Sequence, residues 1–295
     1  MKTKKALKTP LRYPGGKSRA CTKMGQHFPN FDEYTEFREP FIGGGSVALY
    51  VSKMHPHLKI WINDLYEPLV NFWRQLQESG VELEDKLTDL KLNYNDPDTA
   101  RVLFTSSKER INSSNCTPLD RAVAFYIVNK CSFSGLTESS SFSAQASESN
   151  FSLRGIEKLP EYSEIISDWR ITNHSYEYLM VEELHDGIFM YLDPPYDIKD
   201  NLYGKKGEMH KRFDHDKFAH NCDIQSMDMM VSYNSSQLIR DRFTGWAAAE
   251  FDLTYTMRSV GEYMRDQQKR KELLLLNYGT ERLAQLYQSD EEEFN

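Results

Sequence analysis

Residues Ile188 to Asp197 read IFMYLDPPYD, an apolar run closed by an acid, two prolines and a tyrosine. Ile, Phe, Met and Tyr suit a buried strand, and consecutive prolines lack the N–H groups that would extend its ladder, so the strand must stop at Asp193. Open α/β sheets bind ligands beyond the carboxyl ends of their strands, which is where Asp193 and Tyr196 would project. The same tetrapeptide is also compatible with an ordinary strand-ending turn. Two more stretches carry chemistry. Glu33 to Met54, EYTEFREPFIGGGSVALYVSKM, reads as a short strand, a glycine turn at Gly43 to Gly45 and a helix with apolar Val47, Leu49, Tyr50 and Met54. The next strand, KIWIN (Lys59 to Asn63), ends at Asp64. That is about 20 residues past the glycines, the place of a ribose-binding acid in nucleotide-binding βαβ units. The G-G-G-S turn matches neither G-x-G-x-x-G nor a P-loop, so NAD and ATP are poorly supported. A cofactor with a ribose and no phosphate to cradle fits better, and S-adenosylmethionine is the common one.

These residues need a sheet to position them. TPLRYPGGKSRA (Thr9 to Ala20) places a Pro-Gly-Gly turn before a helix start. From Glu67 to Asn173 the pattern becomes helical, with Leu69, Phe72, Trp73 and Leu76, then Leu83, Leu87 and Leu90, then Ala122 to Val128. This stretch reads as an insertion. Within it, Ser132 to Gly155 is serine-rich with Phe133, Phe142 and Phe151, the composition of a flexible surface loop. Strand patterns resume at GIFMYL and MMVSYN (Met229 to Asn234), and the segments Glu250 to Met257 and Glu272 to Gly279 read as a terminal antiparallel pair.

Composition narrows the class. The chain has 295 residues, 39% hydrophobic and 27% charged, which describes a soluble globular protein. Cys21, Cys116, Cys131 and Cys222 lie far apart, without a zinc-ribbon or disulfide spacing, and fit a reducing cytoplasm. His210, His215, His220 and Cys222 match no common zinc pattern, and His55-Pro-His57 reads as a turn, so no metal is expected. No segment has the apolar length to span a bilayer, and the basic N-terminus lacks a signal h-region. A net charge of −8 argues against nucleic acid only as an average, since no acid precedes Asp32. That leader carries Lys2, Lys4, Lys5, Lys8, Arg12, Lys17, Arg19 and Lys23, whereas the opposite end closes on Asp290 to Glu293.

With Tyr13-Pro-Gly-Gly-Lys17, Glu39-Pro-Phe-Ile-Gly-Gly-Gly-Ser46 and Asp193-Pro-Pro-Tyr196 in that order, the sequence resembles the Dam-type (alpha-group, DPPY) DNA adenine-N6 methyltransferases. FYIVNKCSFSGL, SYN and ELLLLNYG extend the likeness over about Thr9 to Gly279. The resemblance implies an α/β fold, a Rossmann-like S-adenosylmethionine-dependent methyltransferase sheet with a helical target-recognition insertion. The catalytic domain would be discontinuous, residues 9–66 and 174–282. Residues 67–173 would bind DNA, and 1–8 and 283–295 would be flexible ends. Tyr13 and Lys17 would border the cofactor, Phe41, Gly43, Gly45 and Ser46 would form its loop, Asp64 would bind the ribose hydroxyls, and Asp193 would also contact the cofactor. Asp193 and the Pro194 carbonyl would accept the hydrogens of the target N6 amine, and Tyr196 would stack on the extruded base.

The expected partner is double-stranded DNA, bound by a monomer or weak dimer in the cytoplasm of a bacterium, or of a bacterial host to a phage that encodes the chain. Candidate DNA contacts are Lys130, Phe133, Ser134, Leu136, Glu138 and Arg154, with phosphate contacts from the leader, from Lys205, Lys206, Lys211 and Arg212, and from Arg265 to Lys271. Phe133 would wedge into the base stack or else be a core residue. Where GATC-reading members tend to show N-R-x-x-[YF]-N-G-L-x-R, this chain has Asn129 to Glu138, with Ser134 and Glu138 in place of the second Asn and second Arg, so a target other than GATC is expected. The alternatives are an RNA or protein N-methyltransferase, which typically carries Asn-Pro-Pro-[YF], and a catalytically silent DNA-binding relative, which would show a broken motif.

Overall fold

The computed structural model describes residues 8–13, 15–18, 20–133, 135, 140–196, 213–252 and 271–279. After α1 (Cys21–Met24) come β1 (Glu36–Glu39), α2 (Ser46–Met54), β2 (Lys59–Asn63) and α3 (Glu67–Glu78). A helical stretch follows: α4 (Gly80–Asn93), α5 (Pro97–Arg110), α6 (Pro118–Cys131), α7 (Ala144–Ser149), α8 (Leu153–Ile156) and α9 (Leu159–Ile165). The sheet resumes with β3 (Arg170–Thr172), α10 (Tyr176–Val181), β4 (Ile188–Leu192), α11 (His215–Asp223), β5 (Asp228–Asn234), α12 (Gln237–Arg242), β6 (Ala247–Asp252) and β7 (Lys271–Leu276).

The strands form one seven-stranded sheet in the order β3-β2-β1-β4-β5-β7-β6. β7 runs antiparallel to β5 and β6, while the remaining neighbours are parallel. The chain moves outward from β1 through β2 to β3, then returns to β4 on the other side of β1. That reversal opens a crevice at the carboxyl ends of β1 and β4. β4 has helices on both faces, and its residues divide accordingly. Phe189 and Tyr191 join the larger core, Met190 and Leu192 the smaller one. An unbroken apolar run is what a parallel strand buried on both faces requires. This is the α/β, Rossmann-like sheet expected from the sequence.

The helical stretch is fixed by its caps and its aromatic core. The Asp96 side chain accepts from the N–H groups of Asp98 and Thr99 ahead of α5, and that of Thr117 from Asp120 ahead of α6, each with proline at the first helical position. Phe72 of α3 stacks on Tyr126 of α6 with centroids 6.0 Å apart, so this stretch is continuous with the sheet's larger core.

Three expectations change. Arg170–Thr172 falls inside the stretch read as helical, yet it is a sheet-edge strand paired with β2. Three residues, all partly exposed or exposed, carry too little pattern to announce a strand. The serine-rich segment is not simply loop: α7 and α8 lie in it, and Phe151 is fully buried. Ser143 and Ser152 are N-caps, accepting from the N–H groups of Ala146 and Gly155, so its serines partly reflect helix starts. Met54 is exposed, because the buried face of α2 is Val47, Ala48, Leu49 and Val51. The terminal antiparallel pair is present, with β6 starting three residues early, at Ala247, where alanines give no β signal. Residues 253–257 lie outside the described residues.

Candidate active site

Asp193 leaves the end of β4 at the crevice, and its carboxylate is held from the N-terminal segment. Gly16 N–H donates to Tyr13 O at 3.1 Å, closing a turn that sends Lys17 inward. The Lys17 Nζ lies 2.9 Å from both Asp193 carboxylate oxygens, 2.7 Å from the Tyr196 hydroxyl, 3.0 Å from Gly15 O and 3.1 Å from Glu272 Oε1. Lys17 is 3% exposed and Glu272 2%, whereas Asp193 retains 22%. Burial alone would loosen the Lys17 proton, but Asp193 and Glu272 outweigh it and hold the ammonium well above its ordinary pKa. Ser232 Oγ, on the neighbouring β5, donates to Asp193 Oδ1 at 2.8 Å and meets the Tyr191 hydroxyl at 2.8 Å. The Tyr196 hydroxyl donates in turn to Glu272. The carboxylate of Asp193 is thus fixed from the inside and open to the crevice.

The second half of the site lies at the ends of β1 and β2. Gly45 N–H donates to Ile42 O at 2.8 Å to close the glycine turn, and Gly43 and Gly45 have φ of 46° and 71°. Only glycine takes these values without strain, and the loop is pinned from both sides. A Cβ on Gly43 would lie 2.9 Å from the Tyr13 ring, and one on Gly45 2.6 Å from Trp73. Trp73 Nε1 donates to Gly43 O at 3.3 Å. Asp64 accepts from Gly43 N–H at 3.2 Å through Oδ2 and from Tyr66 N–H at 3.0 Å through Oδ1, with Leu65 N–H a further backbone donor to the carboxylate. Burial pushes the Asp64 carboxyl up to about 6, against these backbone N–H groups. Phe41 is half-buried and stacks on Tyr176 at 5.5 Å, with Phe213 and Phe218 edge-on. Ser46 Oγ and Ser18 Oγ meet at 2.9 Å, tying the two halves together.

A buried carboxylate hydrogen-bonded to a glycine loop too tight for a Cβ at Gly43 or Gly45 fits an adenosine group. The residues expected to form the cofactor loop are therefore together, with Tyr13 against it. Lys17 contacts Asp193 and Tyr196. Pro194 is buried beside Asp193.

The expected DNA contacts are only partly gathered. Phe133 is 50% exposed and so not a core residue. Lys130 lies 5.2 Å over the Tyr126 ring, and burial, with Arg12 nearby, pushes its ammonium down to about 8. Arg154 is exposed on α8. Ser134, Leu136 and Glu138 lie outside the described residues, as do Met1 to Lys5, Arg19, Lys205, Lys206, Lys211, Arg212 and Arg265 to Arg270. Arg12, counted among the leader's phosphate contacts, is committed elsewhere. Its guanidinium donates to Ser132 O at 2.7 Å and Phe133 O at 3.2 Å. Asn129, fully buried, accepts from Arg12 N–H at 2.9 Å and donates to Arg12 O at 2.6 Å and Gly135 O at 2.9 Å.

Sequence reasoning assigned no role to Glu272, Ser232, Glu39 or Trp73. Glu39 is buried, accepts from Ala48 N–H at 2.8 Å and stands within electrostatic reach of Asp193, Lys17 and Asp64. Burial holds its carboxyl well above the usual range. A signal was present in one of them: Glu272 is the lone acid of β7, whose following residues are all leucine.

Residues 13–257 match the family described as D12 class N6 adenine-specific DNA methyltransferase. Among curated relatives, a type II methyltransferase of Lactococcus lactis subsp. cremoris is 25% identical over 94% of this chain and 98% of its own. One from Methanocaldococcus jannaschii is 23% identical over 64% of this chain and 69% of its own. A third, from Paramecium bursaria Chlorella virus NC1A, is 21% identical over 92% of this chain and all of its own length. The glycine loop, the Asp193 cluster and the extent of this match agree: the chain belongs to the D12 class of N6 adenine-specific DNA methyltransferases.

Proposed function

We propose that the chain transfers a methyl group from S-adenosylmethionine to the N6 amine of an adenine extruded from double-stranded DNA, with Asp193 as the acceptor that orients the amine. The observation that carries this reading is the anchored carboxylate: Lys17 and Ser232 fix it from inside, and its 22% exposure faces the crevice. An adenine amine is a poor nucleophile because its lone pair is delocalised into the ring. Asp193 and the Pro194 carbonyl would accept its two hydrogens and favour pyramidalisation as the lone pair turns toward the methyl. S-adenosylmethionine supplies an electrophilic methyl on a sulfonium; as the C–N bond forms, the C–S bond breaks with its electron pair going to sulfur. The amine sheds one proton, ultimately to solvent.

Asp64 would accept the ribose hydroxyls beside its backbone donors, with Phe41 as an aromatic wall and Tyr13 backing the glycine loop. Tyr196, its hydroxyl clamped between Lys17 and Glu272, would present its ring to the flipped base, whose extrusion costs a few kcal/mol. The helices α4 to α9 with the segment after α6 would carry target recognition. Phe133, which is exposed, would act there as a wedge, and Lys130, Ser134, Leu136, Glu138 and Arg154 would be further DNA contacts. Glu138 and Ser134 favour a target other than GATC.

The test is purified protein with labelled S-adenosylmethionine and duplex DNA, followed by nucleoside analysis. N6-methyladenine in a short shared sequence is expected. N4-methylcytosine, or label in RNA alone, would overturn the reading.

A further inference from the structure

Glu272 enters the site from β7, opposite Asn234 of β5, and shares a cation with Asp193. Lys17 Nζ is 2.9 Å from each Asp193 oxygen and 3.1 Å from Glu272 Oε1, so one buried ammonium serves two carboxylates. A cation facing Asp193 alone would neutralise it and weaken it as an acceptor. Sharing with a second anion leaves Asp193 more negative, where the reacting amine develops positive charge. Glu272 also accepts from the Tyr196 hydroxyl, on the same oxygen that meets Lys17.

We propose that Glu272 is a positioning residue of the methyl transfer: from the closed side of the site it holds Lys17 and Tyr196, sharing the Lys17 charge with Asp193 and keeping the Tyr196 ring in place. The assignment rests on the reading of Asp193 given above. Lys17, Asp193 and the Tyr196 hydroxyl face Glu272, with Tyr191 and Glu39 in the next ring around Lys17. Burial, with Asp193 adding to it and Lys17 opposing it, raises the Glu272 pKa above the ordinary glutamate value. As pH falls, Glu272 therefore takes up a proton sooner than an ordinary glutamate, and the charge of Lys17 falls on Asp193 alone. Methyl transfer should weaken in that window through kcat.

The test compares the full-length protein with Glu272→Gln, which keeps an acceptor oxygen and removes the charge, and with Glu272→Ala, which removes both. The substrate is a duplex carrying the site that wild-type protein methylates. Glu272→Gln should lose at least about tenfold in kcat while KM for both substrates stays within about twofold, and its acid limb in kcat should vanish. Glu272→Ala should also raise KM for DNA, because Tyr196 is released. A second readout is the Lys17 ammonium signal in nitrogen-15 NMR, assigned with Lys17→Arg, which should shift in Glu272→Gln. Wild-type kcat with an unchanged acid limb in Glu272→Gln, or an unmoved Lys17 signal, would overturn the proposal. Should Glu272→Ala not fold, Glu272→Gln alone decides. If wild-type protein transfers no methyl group to adenine, the reading of the reaction fails, while the Lys17 signal still decides whether Glu272 holds Lys17.

Discussion

Replacing Lys17 by methionine would keep an unbranched side chain one atom shorter and delete its charge. Glu272, 2% exposed, and Asp193, 22% exposed, would then stand in the protein without their cation. Removing one partner of a buried ion pair typically costs about 3–5 kcal/mol, because the other charge is left uncompensated. Asp193 keeps the Ser232 hydrogen bond and some water, so the lower end, about 3 kcal/mol near neutral pH, is expected. The pH dependence adds a sharper criterion. Burial already raises the pKa of Glu272 in the folded state, and loss of Lys17 raises it further. A carboxyl with a folded pKa above its unfolded one favours folding at low pH and opposes it once pH passes both values. The deficit of Lys17→Met should therefore be small near pH ~5 and grow toward pH ~8. Urea midpoints followed by circular dichroism for both proteins at the two pH values measure it. A loss below about 1 kcal/mol at both, or one that shrinks as pH rises, would refute the buried-cluster account.

Asp64→Ala should remove two charge-assisted hydrogen bonds, each worth about 1.5–3 kcal/mol, and weaken S-adenosylmethionine binding at least tenfold by calorimetry. In wild-type protein the same affinity should be full above about 6 and fall below it, as Asp64 gains its proton; a flat profile would exclude an ionised Asp64 from the contact. Gly45→Ala places a Cβ 2.6 Å from Trp73 at a φ of 71° and should cost about 2–4 kcal/mol, read as a lower thermal midpoint. Asn129→Ala breaks the bonds that join Arg12 to the segment at Gly135, and should reduce DNA retention more than cofactor affinity in filter-binding and calorimetric assays. Equal loss of both would mean that Asn129 only supports the fold.

Much of this site was legible because its parts are punctuated locally. Proline ends β4 at Asp193, glycine marks the turn after β1, and an acid follows β2; each is a backbone constraint written in adjacent residues. The Lys17 cluster was not legible. It depends on β7 slipping between β5 and β6 in an antiparallel sense, which brings Glu272 to the crevice from a segment that reads only as an apolar strand. β3 was missed because Arg170, Ile171 and Thr172 are too few and too polar to show a period. Arg12 was read by its charge, whereas the structure uses two of its donors on backbone carbonyls of the segment after α6. Such a partner lies more than a hundred residues away and leaves no local mark.

The central claim is that the Asp193 carboxylate acts on the target amine and contributes little to holding DNA. Single-turnover methyl transfer by Asp193→Ala, measured beside duplex retention on a filter, tests it most directly. The account predicts that transfer is abolished while retention stays close to that of wild-type protein. Transfer at a near wild-type rate would contradict it.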